Sequence, residues 1–235
     1  MGLKRGIKYL KKLTLRILRL FLGLFLFALG IVMTINANLG LSPWDVFHQG
    51  LSKNINITMG QASISMGIII VIANSILGER IGWGTLSNMI FIGIFMDVLM
   101  INNLVPTFEN VIYKILMMLL GMFVIGAASF LYIGAGLGSG PRDGLMIALT
   151  KRTGKSIRVI RNAIEITVLI IGFALGGTIG IGTPIMAFAI GPVVQFAFMI
   201  FKFEVSKVKH RFIDEDIKYI KDIMQKSENV ESENC

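Results

Sequence analysis

The sequence predicts an all-α protein that crosses a membrane several times, built as two inverted three-helix repeats. Three observations carry that expectation. Apolar residues gather in runs too long for a soluble core. The first half of the chain returns in the second half at a fixed offset. Basic residues collect at particular ends of the apolar runs. Of 235 residues, 54% are hydrophobic and only 16% charged, against about 25% charged in an average soluble domain. The mean hydropathy is +0.74.

The apolar runs are Leu15–Ile35, Ala62–Leu77, Thr85–Ile101, Val111–Ile133, Ile160–Leu175 and Thr183–Phe201. Most lie near the roughly 17–25 residues that cross a bilayer as a helix, so six spans are predicted. Ala62–Leu77 and Ile160–Leu175 are short and need flanking residues to complete the crossing. Arg16 and Arg19 open the first run and are expected to snorkel to the headgroups. That run is too long for a signal-peptide core and ends in no small-residue cleavage site, so it reads as retained structure.

The repeat has an offset of 98 residues. Leu39-Gly40-Leu41-Ser42-Pro43-Trp44-Asp45 returns as Leu137-Gly138-Ser139-Gly140-Pro141-Arg142-Asp143. Gly78 returns as Gly176, Ile81-Gly82-Trp83-Gly84-Thr85 as Ile179-Gly180-Ile181-Gly182-Thr183, and Ile92-Gly93 as Ile190-Gly191. Shared apolar composition would match leucine with leucine by chance; it would not hold glycines, a proline and an aspartate in register.

Net charge is +9, but its placement speaks for a membrane rather than a nucleic acid. Residues 1–19 hold seven Lys/Arg and no acid, and residues 142–161 hold six with one acid. With six spans, the N-terminus, the loop at Glu79 and Arg80, the loop 135–159 and the tail are cytoplasmic, leaving only Lys53 and Lys114 outside. Each copy holds three spans, an odd number, so the second enters the membrane upside down relative to the first. The organisation is then a basic N-terminus (1–14), a first membrane repeat (15–102), a second (111–201) and an amphipathic cytoplasmic tail (202–235). In that tail Ile213, Ile217, Ile220, Ile223 and Met224 recur at helical spacing, and it is expected to lie solvated on the membrane or on another subunit. Segments 43–53 and 141–151 could instead be fourth spans of parallel repeats. About 11 helical residues reach roughly 16 Å of a ~30 Å core, and Asp45, His48 and Gln49 are costly in lipid. Short re-entrant or interfacial half-helices fit better.

The repeated Leu-Gly-x-x-Pro-x-Asp motif, with Gly40, Pro43, Gly138, Gly140 and Pro141 shaping its backbone, reads as a helix start. Proline sits at the first helical position, and Ser42 and Asp45 have capping-box spacing. Asp45 and Asp143 are then caps, or they face a polar cavity where two broken helices point inward, or both. An aspartate already at the positive helix end favours a proton, a cation or an amine over an anion. Arg161 and Glu165 form an i,i+4 pair on the same face as Arg158. Glu165, roughly 7 Å past the cytoplasmic edge at 1.5 Å per residue, is an interfacial ion pair or a coupled carboxylate. Asn74 is polar mid-span and serves helix packing or solute contact. Asp97 and its counterpart Gln195 are interfacial or face one vestibule from opposite sides, and Arg142 of the motif is a further substrate or coupling candidate. His48 and Gln49 are expected on a wet surface. Gly82–Thr85 and Gly180–Thr183 read as tight turns with threonine as the N-cap. One cysteine, Cys235, excludes an intrachain disulfide. No metal-ligand set and no catalytic constellation stands out, so neither an enzyme nor a cofactor is expected.

These motifs, with Gly82-Trp83-Gly84-Thr85 and Tyr132-Ile133-Gly134-Ala135-Gly136 leading into Leu137–Gly144, resemble the YczE/YitT-type bacterial integral membrane proteins over about residues 15–200. The chain resembles the YczE branch, because it stops before the soluble C-terminal domain of YitT members. The resemblance implies a bacterial cytoplasmic membrane protein, in a family some of whose members are linked to antibiotic or lipopeptide production and export. Function is then expected to be that of a small secondary transporter or exporter of an amphipathic or small organic solute, with proton or cation coupling. A non-transporting accessory protein acting on a partner enzyme or export system is the alternative. The partners are the lipid bilayer and a solute, with a second copy of the chain as a possible partner and no nucleic acid.

Overall fold

The structure is a computed structural model that describes residues 2–218. It is helical, with no strand among the described residues. The helices are α1 (Gly2–Asn36), α2 (Pro43–Ile55), α3 (Met59–Ile76), α4 (Trp83–Ile101), α5 (Val111–Gly134), α6 (Pro141–Thr153), α7 (Ile157–Ala174) and α8 (Gly182–Ile200). The basic N-terminal residues are the first turns of α1 rather than a separate segment.

The repeat governs this order. Adding 98 to the bounds of α2 gives those of α6, and adding it to α3 gives α7. The apolar part of α1, Leu13–Asn36, maps in the same way onto α5, Val111–Gly134, and α4 maps onto α8 to within one residue. The local signals recur with the elements. Ser42 and Gly140 are the N-caps of the proline-led helices, and Thr58 and Ser156 cap α3 and α7 with their hydroxyls. Asn56 and Gly154, equivalent positions, end α2 and α6 in the left-handed conformation that those two residue types adopt most readily.

Among the described residues, five helices are long and apolar enough to cross a membrane: Leu13–Asn36, α3, α4, α5 and α8. The predicted sixth, α7, carries Arg158, Arg161 and Glu165 within 18 residues and falls short of that composition. The 13-residue α2 and α6 reach only about 20 Å. The result is a polytopic helical membrane protein.

α1 is the central helix, and its Leu20, Leu24, Ala28, Ile31 and Val32 form the main core with Ile92, Met96, Met117 and Tyr132. It packs on α5 in the antiparallel sense: Arg19 bonds the Phe130 carbonyl at 3.2 Å, Gly23 faces Tyr132, and Gly30 faces Gly121. Small residues make this approach possible, since a Cβ at Gly30 would lie 2.8 Å from the Gly121 oxygen. Two further pairings cross between copies, α2 on α7 and α6 on α3, while within each copy α1 holds α4 and α5 holds α8. Two hydrogen bonds state the exchange at atomic level. Gly84 N–H donates to Leu137 O at 2.6 Å, and Gly182 N–H, its equivalent, donates to Leu39 O at 2.7 Å. Residue i of one copy meets j of the other and j meets i, which is how a two-fold relation appears in a contact list.

The tail does not lie free. Ile213 N–H bonds Ile81 O at 3.0 Å and Arg211 N–H bonds Gly136 O at 2.9 Å, so residues 203–218 dock on the chain's own α3–α4 and α5–α6 loops. The correction is physical: glycine-rich loops leave backbone carbonyls open, and the tail's backbone satisfies them. Ile220, Ile223 and Met224 lie outside the described residues.

Gly40 and Gly138 have φ of +118° and +121°, and a Cβ on either would lie 2.6 Å from the opposite copy. Gly78, at φ +83°, has open space around it. In thermal unfolding of the purified protein, Gly40→Ala and Gly138→Ala should each cost about 2–4 kcal/mol, strain and clash together. Gly78→Ala should cost only about 1–2 kcal/mol. Equal losses at all three would contradict the close approach.

Candidate functional site

The crossed contacts bring the starts of α2 and α6 face to face. Trp44 and Arg142 occupy equivalent positions, and the Arg142 guanidinium lies over the Trp44 ring at 4.2 Å from its centroid. The motif thus meets its own copy, with a cation–π contact between the second residues of the two helices.

Around this contact lies a cavity of about 840 Å³. Its lining is part apolar, with Phe27, Ile31, Ile125, Ile190, Val194 and Phe198, and part polar, with Asp45, Asn74, Arg142, Asp143, Arg161, Glu165 and Gln195. Seven of the eight polar residues singled out in the sequence therefore share one space. A smaller cavity of about 110 Å³ lies behind the same Asp45, Arg142 and Asp143 and reaches His48 and Gly67.

The two helix starts are built differently. In α2 the Ser42 hydroxyl donates to the Asp45 carboxylate and accepts the Asp45 N–H at 3.4 Å, so the cap is closed on itself. In α6 Gly140 offers no side chain, and the Tyr132 hydroxyl donates to Asp143 Oδ2 at 3.2 Å instead. Asn74, 3% exposed, donates its Nδ2 to Pro141 O at 2.8 Å and leaves Oδ1 without a partner. Its equivalent in α7 is Gly172, where a Cβ would lie 2.5 Å from the Phe47 backbone of α2. Arg161 Nε bonds Glu165 Oε1 at 2.8 Å, as the spacing predicted.

Asp97 stands apart from both cavities. It accepts the Gly60 N–H at 2.9 Å and the Thr58 hydroxyl, capping α3 from α4. Gly60 and Gly93 let the two helices touch there, a contact that spacing along one chain does not reveal.

Three local expectations are corrected. His48 is 1% exposed rather than wet; its Nε2 lies 3.5 Å from Arg142 Nη2 and its Nδ1 3.8 Å from Asp45 Oδ1. Gln49 accepts the Thr178 N–H at 2.7 Å and is partly buried, because α2 packs on α7. Thr85 and Thr183 are not N-caps but lie inside the first turn. Their hydroxyls accept the N–H of Gly82 at 3.3 Å and Gly180 at 3.2 Å, and Thr85 also donates to Ser139 O at 2.7 Å.

Glu79, Arg80 and Lys151 also line the large cavity, as do His210 and Phe212 of the docked tail. Lys151 pairs with Glu79 at 2.7 Å, while Arg80 pairs with Asp214 at 2.7 Å and Glu215 at 2.8 Å. The Arg80 guanidinium holds the Asp214 carboxyl below its ordinary range. Trp83 Nε1 donates to Asp216 Oδ2 at 3.0 Å and Gly138 N–H to His210 Nδ1 at 3.3 Å. Among the described residues no three of His, Cys, Asp and Glu gather as a metal-ligand set.

A family whose description reads "Family of unknown function (DUF6198)" matches residues 14–199. The chain belongs to this family. The membrane protein YczE of Bacillus subtilis, described as uncharacterized, is 38% identical over 191 residues, covering 80% of this chain and 87% of the relative. An uncharacterized protein of Haemophilus influenzae is 36% identical over 180 residues, covering 74% and 82%. A third relative, the uncharacterized YyaS of Bacillus subtilis, is 28% identical over 181 residues, covering 76% and 89%. No solved structure matches. The matched region contains both helix starts and all seven polar lining residues named above but stops short of the docked tail, whose Val205, His210 and Phe212 also line the cavity.

For this family member, Asp97→Ala should lower stability by about 1–3 kcal/mol through the lost cap and the unsatisfied donors of α3. Glu165→Gln keeps a hydrogen-bond acceptor for Arg161, whose own side chain is 39% exposed, and should change stability by less than about 1 kcal/mol. Thermal unfolding of the two variants side by side checks this; a larger loss at Glu165 would reverse the two assignments.

Proposed function

We propose that this protein is a secondary transporter or exporter of the bacterial cytoplasmic membrane that moves an amphipathic or small organic solute by alternating access. In this reading α7 is the sixth span, with Arg161 and Glu165 neutralising one another at its cytoplasmic end. The repeats are inverted, which the antiparallel packing of the equivalent α1 and α5 supports. The basic loops and both termini face the cytoplasm.

The observation that carries the proposal is the unequal closure of two equivalent seams. At the α2–α7 seam Gly50 and Gly172 let the backbones touch, Lys53 and Asn54 bond the carbonyls of Gly176 and Leu175 at 2.9 and 2.6 Å, and Gln49 holds Thr178. At the equivalent α6–α3 seam Asn74 spans to Pro141, Lys151 meets Glu79, and the cavity opens beside them. One inverted copy closed and the other open is half of a transport cycle. The other half exchanges the two: α6 closes on α3 while α2 leaves α7, and the cavity faces outward. Asp45, Asp143 and Glu165 are the carboxylates available to take up a proton or cation as the solute moves. The pairing of two helix starts around a shared cavity favours this over an accessory role.

The test is two-sided access to Ser139, which lines the cavity and contributes only its carbonyl to the fold. A Ser139→Cys variant in a Cys235→Ser background, reconstituted in liposomes, should react with a membrane-impermeant maleimide applied to either face. Reaction from one face only would overturn alternating access and leave an accessory protein with a one-sided pocket.

A further inference from the structure

A guanidinium and a buried amide oxygen in the cavity lack a full set of partners, and Asn74 is bonded to Pro141, the residue before Arg142. On the cationic side, Arg142 has no carboxylate within ion-pair distance among the described residues. One flat face is covered by Trp44 and Nη2 lies 3.5 Å from His48 Nε2, which leaves the remaining edge N–H groups for a carboxylate. Beside it, the first turn of α6 has no side-chain cap but carries Asp143 at its positive end, so the anion contact rests on Arg142.

On the other side stands Asn74 Oδ1. Its amide orientation is fixed by the bond from Nδ2 to Pro141 O, the residue next to Arg142, so the free atom is the acceptor. A buried acceptor without a donor costs about 1–3 kcal/mol, and an ammonium or amide N–H supplied by a ligand removes that cost. Asp143 lies on the same helix turn, with the Tyr132 hydroxyl on one of its oxygens.

Charge balance then selects the ligand class. The charged side chains that line the cavity balance, Asp45, Glu79, Asp143 and Glu165 against Arg80, Arg142, Lys151 and Arg161, so a ligand of no net charge leaves that balance intact. A bare anion would bind Arg142 but leave the carboxylates in a space of low dielectric. A bare cation would meet Arg142. We infer that the cavity takes a zwitterionic amphiphile, one molecule with a carboxylate on Arg142, a protonated amine toward Asn74 and Asp143, and an apolar body along Phe27, Ile31 and Ile125. The volume, about 840 Å³, lies within the roughly 300–1,000 Å³ range of sites for drug-sized molecules. The inference rests on the transport reading in taking this cavity for a solute site.

Three probes of equal body separate the classes: the dipeptide Leu-Phe as zwitterion, N-acetyl-Leu-Phe as anion and Leu-Phe amide as cation. Binding of each to the purified full chain in lipid nanodiscs, measured calorimetrically at neutral pH, should favour the zwitterion at least tenfold over both others. Arg142→Gln should bring its affinity down to that of the amide, with the amide unaffected or tighter. Since Arg142→Gln can disturb the stack on Trp44, the ranking of the three probes on the unaltered chain decides by itself. Equal or tighter binding of the anion or the cation overturns the inference, as does failure of all three to bind. Zwitterion-selective binding combined with one-sided labelling of Ser139→Cys would refute transport while upholding the ligand class. Two-sided labelling without zwitterion preference would do the reverse.

Discussion

A chain that breaks its helices within an apolar surrounding must find partners for the backbone groups it frees, because hydrocarbon offers none. Here each copy of the repeat seals the other's break. Leu39 O, just before the proline-led α2, accepts from Gly182 at the start of α8; Leu137 O, just before α6, accepts from Gly84 at the start of α4. Neither copy alone supplies these donors, so the folding unit is the pair. The glycines follow from the same constraint. Gly40, Gly138, Gly82 and Gly180 stand where two backbones meet, and a side chain at any of them would enter the space of the other copy.

The position of the site follows from that exchange. Two loops locked to each other's helix starts point α2 and α6 at one spot, and Trp44 and Arg142 touch there because they are the same position written twice. Divergence between the copies then gives the site its chemistry. Serine against glycine at the cap closes one helix start and opens the other; asparagine against glycine at positions 74 and 172 separates one seam and lets the other close. A strictly symmetric protein would hold no directional cavity. This one has an anion-seeking cation and an orphaned acceptor on the same side of the axis.

Much of this was legible in the sequence, because glycine, proline and aspartate held in register report backbone geometry directly. The apolar runs mark the long helices, the segments 43–53 and 141–151 return as α2 and α6, each two residues longer, and seven of the eight polar candidates line one cavity. What escaped depends on which helices touch. His48 reads as a wet residue on a polar half-helix, yet α2 is enclosed by α7 and α3, and the histidine ends against Arg142. Asp97 reads as a vestibule residue, but the Gly60–Gly93 contact delivers it to the start of α3. The threonines of the Gly-x-Gly-Thr turns read as caps, but helix α4 begins earlier and uses them one turn in. The tail reads as solvated because its charges balance, whereas acids at 214–216 find Arg80 and Trp83.

The central claim is that two copies of one unit lie in opposite senses across the bilayer. Lys53 and Lys151 test it most directly, since they are equivalent exposed residues near the ends of α2 and α6. In a Cys235→Ser background, Lys53→Cys and Lys151→Cys should react with an impermeant maleimide from opposite faces of the membrane, position 151 from the cytoplasm. Reaction of both from the same face would mean parallel repeats, and the mirrored architecture would be wrong.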